Sequence, residues 1–174
     1  RSLAYGSWGV GSHAHLGGAM LESAFGAKMV HVAYKEIPQI FPALANGDLA
    51  FVFSTGSTSG PMARAKKIKY IALAMPQRDP SLPQVPTMAE AGAPPGFALN
   101  AWQALYAPRG LPRPVLEKLS ADIQRATSEP EILNTLATGS FGEWKGSAAE
   151  VARMQEADLQ VFGEVIRRMK ISID

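Results

Sequence analysis

Three groups of residues in this chain are of types that could hold a polar ligand. The first lies in Leu3-Ala4-Tyr5-Gly6-Ser7-Trp8-Gly9-Val10-Gly11-Ser12-His13-Ala14-His15-Leu16. It reads as a strand, a Gly/Ser turn and the first turn of a helix. Gly6, Gly9 and Gly11 permit positive φ and carry no Cβ to block a ligand. Ser12 is an N-cap candidate, with unpaired helical N–H groups and the positive end of the helix dipole beyond it. Such a turn suits a carboxylate or phosphate. The plain alternative is an ordinary strand-to-helix turn. The second group, Ser54-Thr55-Gly56-Ser57-Thr58-Ser59-Gly60-Pro61, carries five hydroxyls in six residues directly after the apolar run Leu49–Phe53. It reads as the polar wall of a site or as a surface loop. The third is Tyr34–Ile37, at the end of another strand.

Catalytic patterns fit poorly. There is no P-loop sequence, and the only histidines are His13, His15 and His31. His13 and His15, two apart near a helix start, do not share a face and make a poor metal pair. His31, inside a strand, reads as a satisfied core or edge histidine. Gly56-Ser57-Thr58-Ser59-Gly60 imitates a nucleophile elbow but has Thr where Ser belongs. No carboxylate pair at a strand end forms an acid/base couple. One enzyme reading stays open: Gly9-Val10-Gly11-Ser12-His13-Ala14 matches G-x-G-x-x-A, with Glu36 about 20 residues on, as in a dinucleotide-binding oxidoreductase.

Composition narrows the classes. Of 174 residues 47% are hydrophobic and 18% charged, which supports a packed core. With a net charge of +2, the short basic stretch Arg64–Lys69 reads as a solvated helix end, so no nucleic-acid partner is expected. The absence of cysteine excludes disulfides and thiolate chemistry, and no apolar run approaches the roughly 20 residues of a membrane span. No metal or cofactor is called for. The chain opens at Arg1 almost directly on a strand, as a piece of something longer or a processed product would.

The positioning elements follow from periodicity. Strands are expected at Arg1–Tyr5, Lys28–Tyr34, Leu49–Phe53 and Lys69–Ala74, with helices at about 12–25, 36–46 and 61–66 between them. Gly17 and Gly18 inside the first helix point to close packing on the sheet. This alternation predicts an α/β unit with a mainly parallel sheet. The turns at 6–12, 34–37 and 54–60 then all follow carboxyl ends of strands, where ligands of such sheets sit. Beyond the Pro-rich stretch 75–95, with a capping box at Thr87–Glu90, a strand is expected at Phe97–Ala107. Helices follow at about 112–127, 128–138 and 147–169, the last two with boxes at Ser128–Glu131 and Ser147–Glu150, and a connector or short strand at Gly139–Trp144. The helix after Pro112 turns Val115, Leu116, Leu119, Ile123 and Ala126 to one face. The long one places Val151, Met154, Val161, Phe162, Val165, Ile166 and Met169 inward. These late helices lack a sheet to cover, which marks a boundary near residues 95–100.

The order and spacing of several stretches carry a resemblance. They are Tyr5-Gly6-Ser7-Trp8-Gly9-Val10-Gly11-Ser12 with His15-Leu16, Val30-His31-Val32-Ala33-Tyr34-Lys35, Ala43-Leu44 with Gly47-Asp48, Leu82-Pro83-Gln84-Val85-Pro86-Thr87 with Ala89-Glu90-Ala91-Gly92, and Trp102 through Gly110. Together they resemble the periplasmic solute-binding receptors of tripartite tricarboxylate transporters, the TctC or Bug family. The resemblance implies a type II-like periplasmic binding protein lobe, a mainly parallel sheet flanked by helices, plus a C-terminal helical segment. Residues 1–98 would be the second lobe of a two-lobed clamp, and 99–174 a returning segment that completes the first lobe. The first lobe's own F-P-x-G-G loop has no counterpart here. The implied function is extracytoplasmic capture of a small carboxylate, without catalysis, for membrane permease subunits. Ser7, Trp8, Gly9, Gly11 and Ser12 would hold the carboxylate through N–H groups and hydroxyls. Ser54, Thr55 and Ser57 would hold polar groups or water, with Tyr34 and Lys35 at the position of the family's Y-K-G. Glu36 stands where that Gly usually does and would repel a close anion. Trp8 would stack on a bulky ligand or pack as a lid, and Trp102 would pack. Alone, these residues are expected to bind weakly or not at all, and their uncovered helices to favour a homodimer.

Overall fold

The chain builds a small parallel sheet whose central strand carries the Gly/Ser turn. The computed structural model describes residues 3–94, 97–99, 101–139, 141–142 and 146–172. Parts of the expected first strand (Arg1 and Ser2), of the stretch 75–95 (Pro95), of the expected strand Phe97–Ala107 (Asn100) and of the connector Gly139–Trp144 lie outside them. The elements are β1 (Leu3–Ser7), α1 (His13–Phe25), β2 (Met29–Ala33), α2 (Ile37–Asn46), β3 (Phe51–Val52), α3 (Gly56–Arg64), α4 (Arg113–Thr127), α5 (Pro130–Thr138) and α6 (Ala148–Met169).

The strands lie in the order β2-β1-β3, both neighbours parallel to β1. Tyr5 pairs with His31 on one side and Phe51 on the other. Parallel strands need crossover connections, which α1 and α2 supply. Glycine lets the layers approach. A Cβ on Gly17 would stand 2.5 Å from Leu99 Cδ2, and one on Gly18 would fall onto the Tyr5 ring. The propensity cost of these two glycines, roughly 1 kcal/mol each, is offset by the packing they permit. Tyr5, Ala14, Leu16, Ala19, Ile40, Phe41 and Leu49 form the buried centre.

Several boundaries differ from expectation. The segment 69–74 is not a strand: Leu73 makes one parallel bridge to Thr87, and Ile71 is exposed. β3 is only two residues long and offers too short an edge to continue the ladder. The described residues of 97–107 hold no strand either. Instead Trp102 Nε1 donates to Asp158 Oδ2 at 2.6 Å and Tyr106 Oη to Gln155 Oε1 at 3.3 Å, so this segment is tied to α6. The expected helix at 61–66 begins five residues earlier, at Gly56, and takes in most of the hydroxyl-rich stretch. The capping boxes at Thr87–Glu90 and Ser147–Glu150 form as expected. At α5 the N-cap is Glu129 rather than Ser128, with no side-chain capping bond.

The later helices keep much apolar surface. Along α6, Val151, Met154, Asp158, Phe162, Val165 and Met169 are partly buried at three- and four-residue spacing, while Val161 and Ile166 are exposed, contrary to expectation. α6 lies on α1, with the Phe162 ring edge-on to His13 at 6.2 Å. α4 packs on α5, but Val115, Leu116, Leu119 and Ile123 stay exposed, as does Ile132 on α5.

Candidate functional site

Because all three strands run the same way, the turns after Ser7, Ala33 and Val52 open on one edge of the sheet. The β1 turn is built by its glycines: Gly9 has φ 125° and Gly11 φ 74°, values that a side chain would strain. Gly6 has a different task. Its Cβ would meet Leu49 Cδ1 at 2.7 Å and Ile40 Cγ2 at 3.1 Å, so it serves the packing of α2 and Leu49 against β1 rather than ligand approach. Ser12 caps α1 as expected, its Oγ accepting from His15 N at 3.4 Å. Tyr34 N donates to Ser7 O at 2.8 Å, joining the second turn to the first, and its ring edge passes 3.7 Å from where a Gly6 Cβ would be.

The polar groups of this edge are partly engaged already. Ser7 is fully buried, its Oγ donating to Gly9 O and accepting from Gly9 N. Gly11 N donates to His15 Nδ1 at 3.0 Å, and Ser12 N to Gly9 O at 3.2 Å. Three amides expected to face a ligand, those of Gly9, Gly11 and Ser12, therefore have internal acceptors. The amides of Trp8 and Val10 form no hydrogen bond among the described residues. Trp8 is partly buried, and Val10 and Gly11 are exposed at the tip.

The third turn is shorter than expected because α3 begins at Gly56. Its hydroxyls form a local chain: Thr55 Oγ1 lies 2.8 Å from Ser57 Oγ and 3.2 Å from Thr58 Oγ1, and Ser59 Oγ donates to Thr55 O at 2.8 Å. Ser54 and Ser57 are exposed, and Thr55 is the N-cap. Beside this helix start lies a cavity of about 280 Å³ bounded by Gly56, Ser57, Arg64, Asn134, Thr135, Thr138 and Gly139. α5 thus meets the hydroxyl-rich helix, a contact that nothing in the sequence announced.

Electrostatically the edge favours an anion. The N-termini of α1, α2 and α3 all follow strand ends, and none carries an acidic residue in its first turn. Glu36, the exposed N-cap of α2, is the opposing charge, with Lys35 beside it. Beneath the β1 turn lies an aromatic layer that sequence reasoning did not foresee as a unit. His15 and His31 stack with ring centroids 3.7 Å apart and planes 7° apart, and Tyr5 lies 5.2 Å from His31 and 5.4 Å from Phe51. His31 Nε2 is 2.6 Å from Ser7 Oγ, which bears out its reading as a satisfied histidine. Burial, and next the adjacent His15, push the His31 imidazole down to about 4. Burial also lowers His15, with Glu22 partly opposing. The Tyr5 hydroxyl is buried without a hydrogen-bond partner. Burial first, and then the neighbouring Glu22 carboxylate, raise it to about 12. The only sequence signal for this layer was three aromatic rings on positions that pairing later aligned.

Among the described residues no group of three or more His, Cys, Asp or Glu could hold a metal ion, and no helix is long and apolar enough to cross a membrane.

Comparison with known proteins agrees with this architecture. The model of the tripartite tricarboxylate transporter family receptor matches residues 1–171. The R. palustris protein Rpa4515, solved with adipate, is 27% identical with a TM-score of 0.86, covering 99% of this chain and 57% of that one. MatC from Rhodopseudomonas palustris, solved with bound malate, is 27% identical with a TM-score of 0.82, over 94% of this chain and 56% of that one. The periplasmic binding protein BugD, at 23% identity, shares the fold with a TM-score of 0.84 over 98% of this chain and 57% of that one. This chain spans about half the length of three curated relatives it matches, 40%, 51% and 48%. A parallel sheet whose strand ends gather three helix N-termini, in a fold shared along nearly the whole chain, fits a family of periplasmic solute-binding proteins: the chain belongs to the TctC family of tripartite tricarboxylate transporter receptors.

Proposed function

We propose that this chain contributes to the periplasmic capture of a small carboxylate for the membrane permease subunits of a tripartite transporter, by binding and without catalysis. The observation that carries the reading is the single sheet edge where three helices begin with no acidic residue in their first turns. Anions are favoured there by helix N–H groups and dipoles. The carboxylate would meet the tip of the 8–12 turn, where Trp8 and Val10 offer open amides, and Ser54, Thr55 and Ser57 would supply hydroxyls. Ser7, Gly9, Gly11 and Ser12 would shape the turn, and Tyr34 would close its side. The adipate and malate held by those two solved proteins, both dicarboxylates, support a small dicarboxylate as the ligand class.

Residues 1–98 serve as the second lobe in this reading and 99–174 as the returning segment of the first. The exposed stripe of Val115, Leu116, Leu119 and Ile123 on α4 supports that division, since an apolar face of this size calls for a cover. Pairing of two copies through that stripe is the competing arrangement, and sedimentation separates the two. The function is tested by isothermal titration of the chain, and of a longer protein supplying both lobes, with adipate, malate, a tricarboxylate and an uncharged diol. Heat with carboxylates alone, stronger for the longer protein, is the expected result. Equal silence toward all four ligands from both proteins contradicts the reading.

A further inference from the structure

Between the β1 turn and the sheet lies the His15–His31 stack, which the capture reading does not use. Each ring touches the turn at a different point. His15 Nδ1 accepts the Gly11 N–H at 3.0 Å, and His31 Nε2 lies 2.6 Å from Ser7 Oγ, the group that in turn holds both the N–H and the C=O of Gly9. Gly9 and Gly11 are the two residues of this turn at positive φ, so the turn is held at its two least restrained points. We propose that His15 is a positioning residue of the ligand turn, a latch that holds Gly11 only while its imidazole is neutral, with His31 stacked beneath it and securing Ser7.

The chemistry of the ring requires this dependence. A nitrogen that accepts a hydrogen bond must present its lone pair, so Nδ1 is bare and the ring's proton sits on Nε2. Adding a proton makes both nitrogens donors. Nδ1–H would then face Gly11 N–H, donor against donor, and the latch opens. A cation on one ring also lies face to face with the second imidazole at 3.7 Å. The titratable groups around the pair are few. β1 contributes Tyr5, neutral until alkaline pH, and α1 contributes Glu22, whose charge favours protonation of His15. β3 presents the uncharged Phe51 to Tyr5, and Phe162 from α6 covers His13 rather than the pair. Burial resists protonation of both rings, so the latch is closed at neutral pH and opens in acid.

The inference rests on the turn being the ligand contact, but its test needs no ligand. Amide and imidazole signals of the chain are followed by NMR from about pH 8 to about pH 4, through the ordinary histidine range and below it, because burial lowers both rings. In the wild type the Gly11 amide should move along the same curve as the His15 ring, before any loss of dispersion in the β1 amides. His15→Gln supplies an acceptor that does not titrate, so its Gly11 signal should stay still across the range. His15→Leu should place the Gly11 signal at its acid position already at the alkaline end. A wild-type Gly11 amide that stays put while the His15 ring titrates overturns the latch, as does an equal excursion in His15→Gln. Either result leaves carboxylate capture to be judged by its own titration.

Discussion

Single side chains at the centre of this molecule set both its packing limits and its response to pH. Gly18 faces the Tyr5 ring so closely that even a methyl group has no room. Gly18→Ala gains roughly 1 kcal/mol of helix propensity but forces overpacking of about 1–3 kcal/mol, so net destabilisation is expected. A lowered urea midpoint checks this, and an unchanged or raised midpoint contradicts it. The buried rings fix the pH profile. His15 and His31 take up protons less readily folded than unfolded, so stability should fall as pH drops from about 6.5 toward about 4. Tyr5 holds its proton up to about 12, against 10.0 for the free group, so stability should fall again across that alkaline interval. Urea midpoints across the range should form a dome, with its acid limb shallower in His31→Gln. A flat acid limb in the wild type would show that the rings are not held neutral by burial.

At the scale of elements, local signals were reliable where the chain closes its own hydrogen bonds. The Ser147–Glu150 and Thr87–Glu90 boxes and the Ser12 cap were all legible, because each depends on residues a few positions apart. Ser147→Ala should destabilise the chain by about 1 kcal/mol through the first turn of α6. Loss of protection in amide exchange confined to that turn would identify the cause, whereas unchanged exchange there would contradict it. Elements that depend on partners were less legible. The run Lys69–Ala74 has strand chemistry but finds only Thr87 to pair with. The Gly/Ser/Thr-rich stretch after β3 has poor helix propensity, yet folds as α3 on the far side of a strand end, against α2 and the end of α5. The candidate site shared this split. Its location at the strand ends followed from alternation, and its resident turn from the glycines. The internal acceptors of Gly9, Gly11 and Ser12 did not, because they come from side chains and carbonyls whose positions only the folded turn fixes.

For the whole molecule, the uneven burial of the two halves is the informative feature. The first half surrounds a sheet, while α4 leaves an apolar stripe in solvent. Leu119→Glu on that stripe should change the stability of the chain by only about 0.5 kcal/mol, since an exposed position loses little packing. A large drop would mean that the stripe is covered in solution, and sedimentation of the same variant would show whether a second copy covers it. The central claim, that a carboxylate binds at the sheet edge, is tested most directly by NMR mapping of the labelled chain with adipate at millimolar concentration. The account predicts shifts gathered at Trp8, Val10, Tyr34 and the Thr55–Ser57 start of α3, with α4 and α6 silent. Shifts centred elsewhere, or absent from that edge both here and in a longer protein that supplies both lobes, would contradict it.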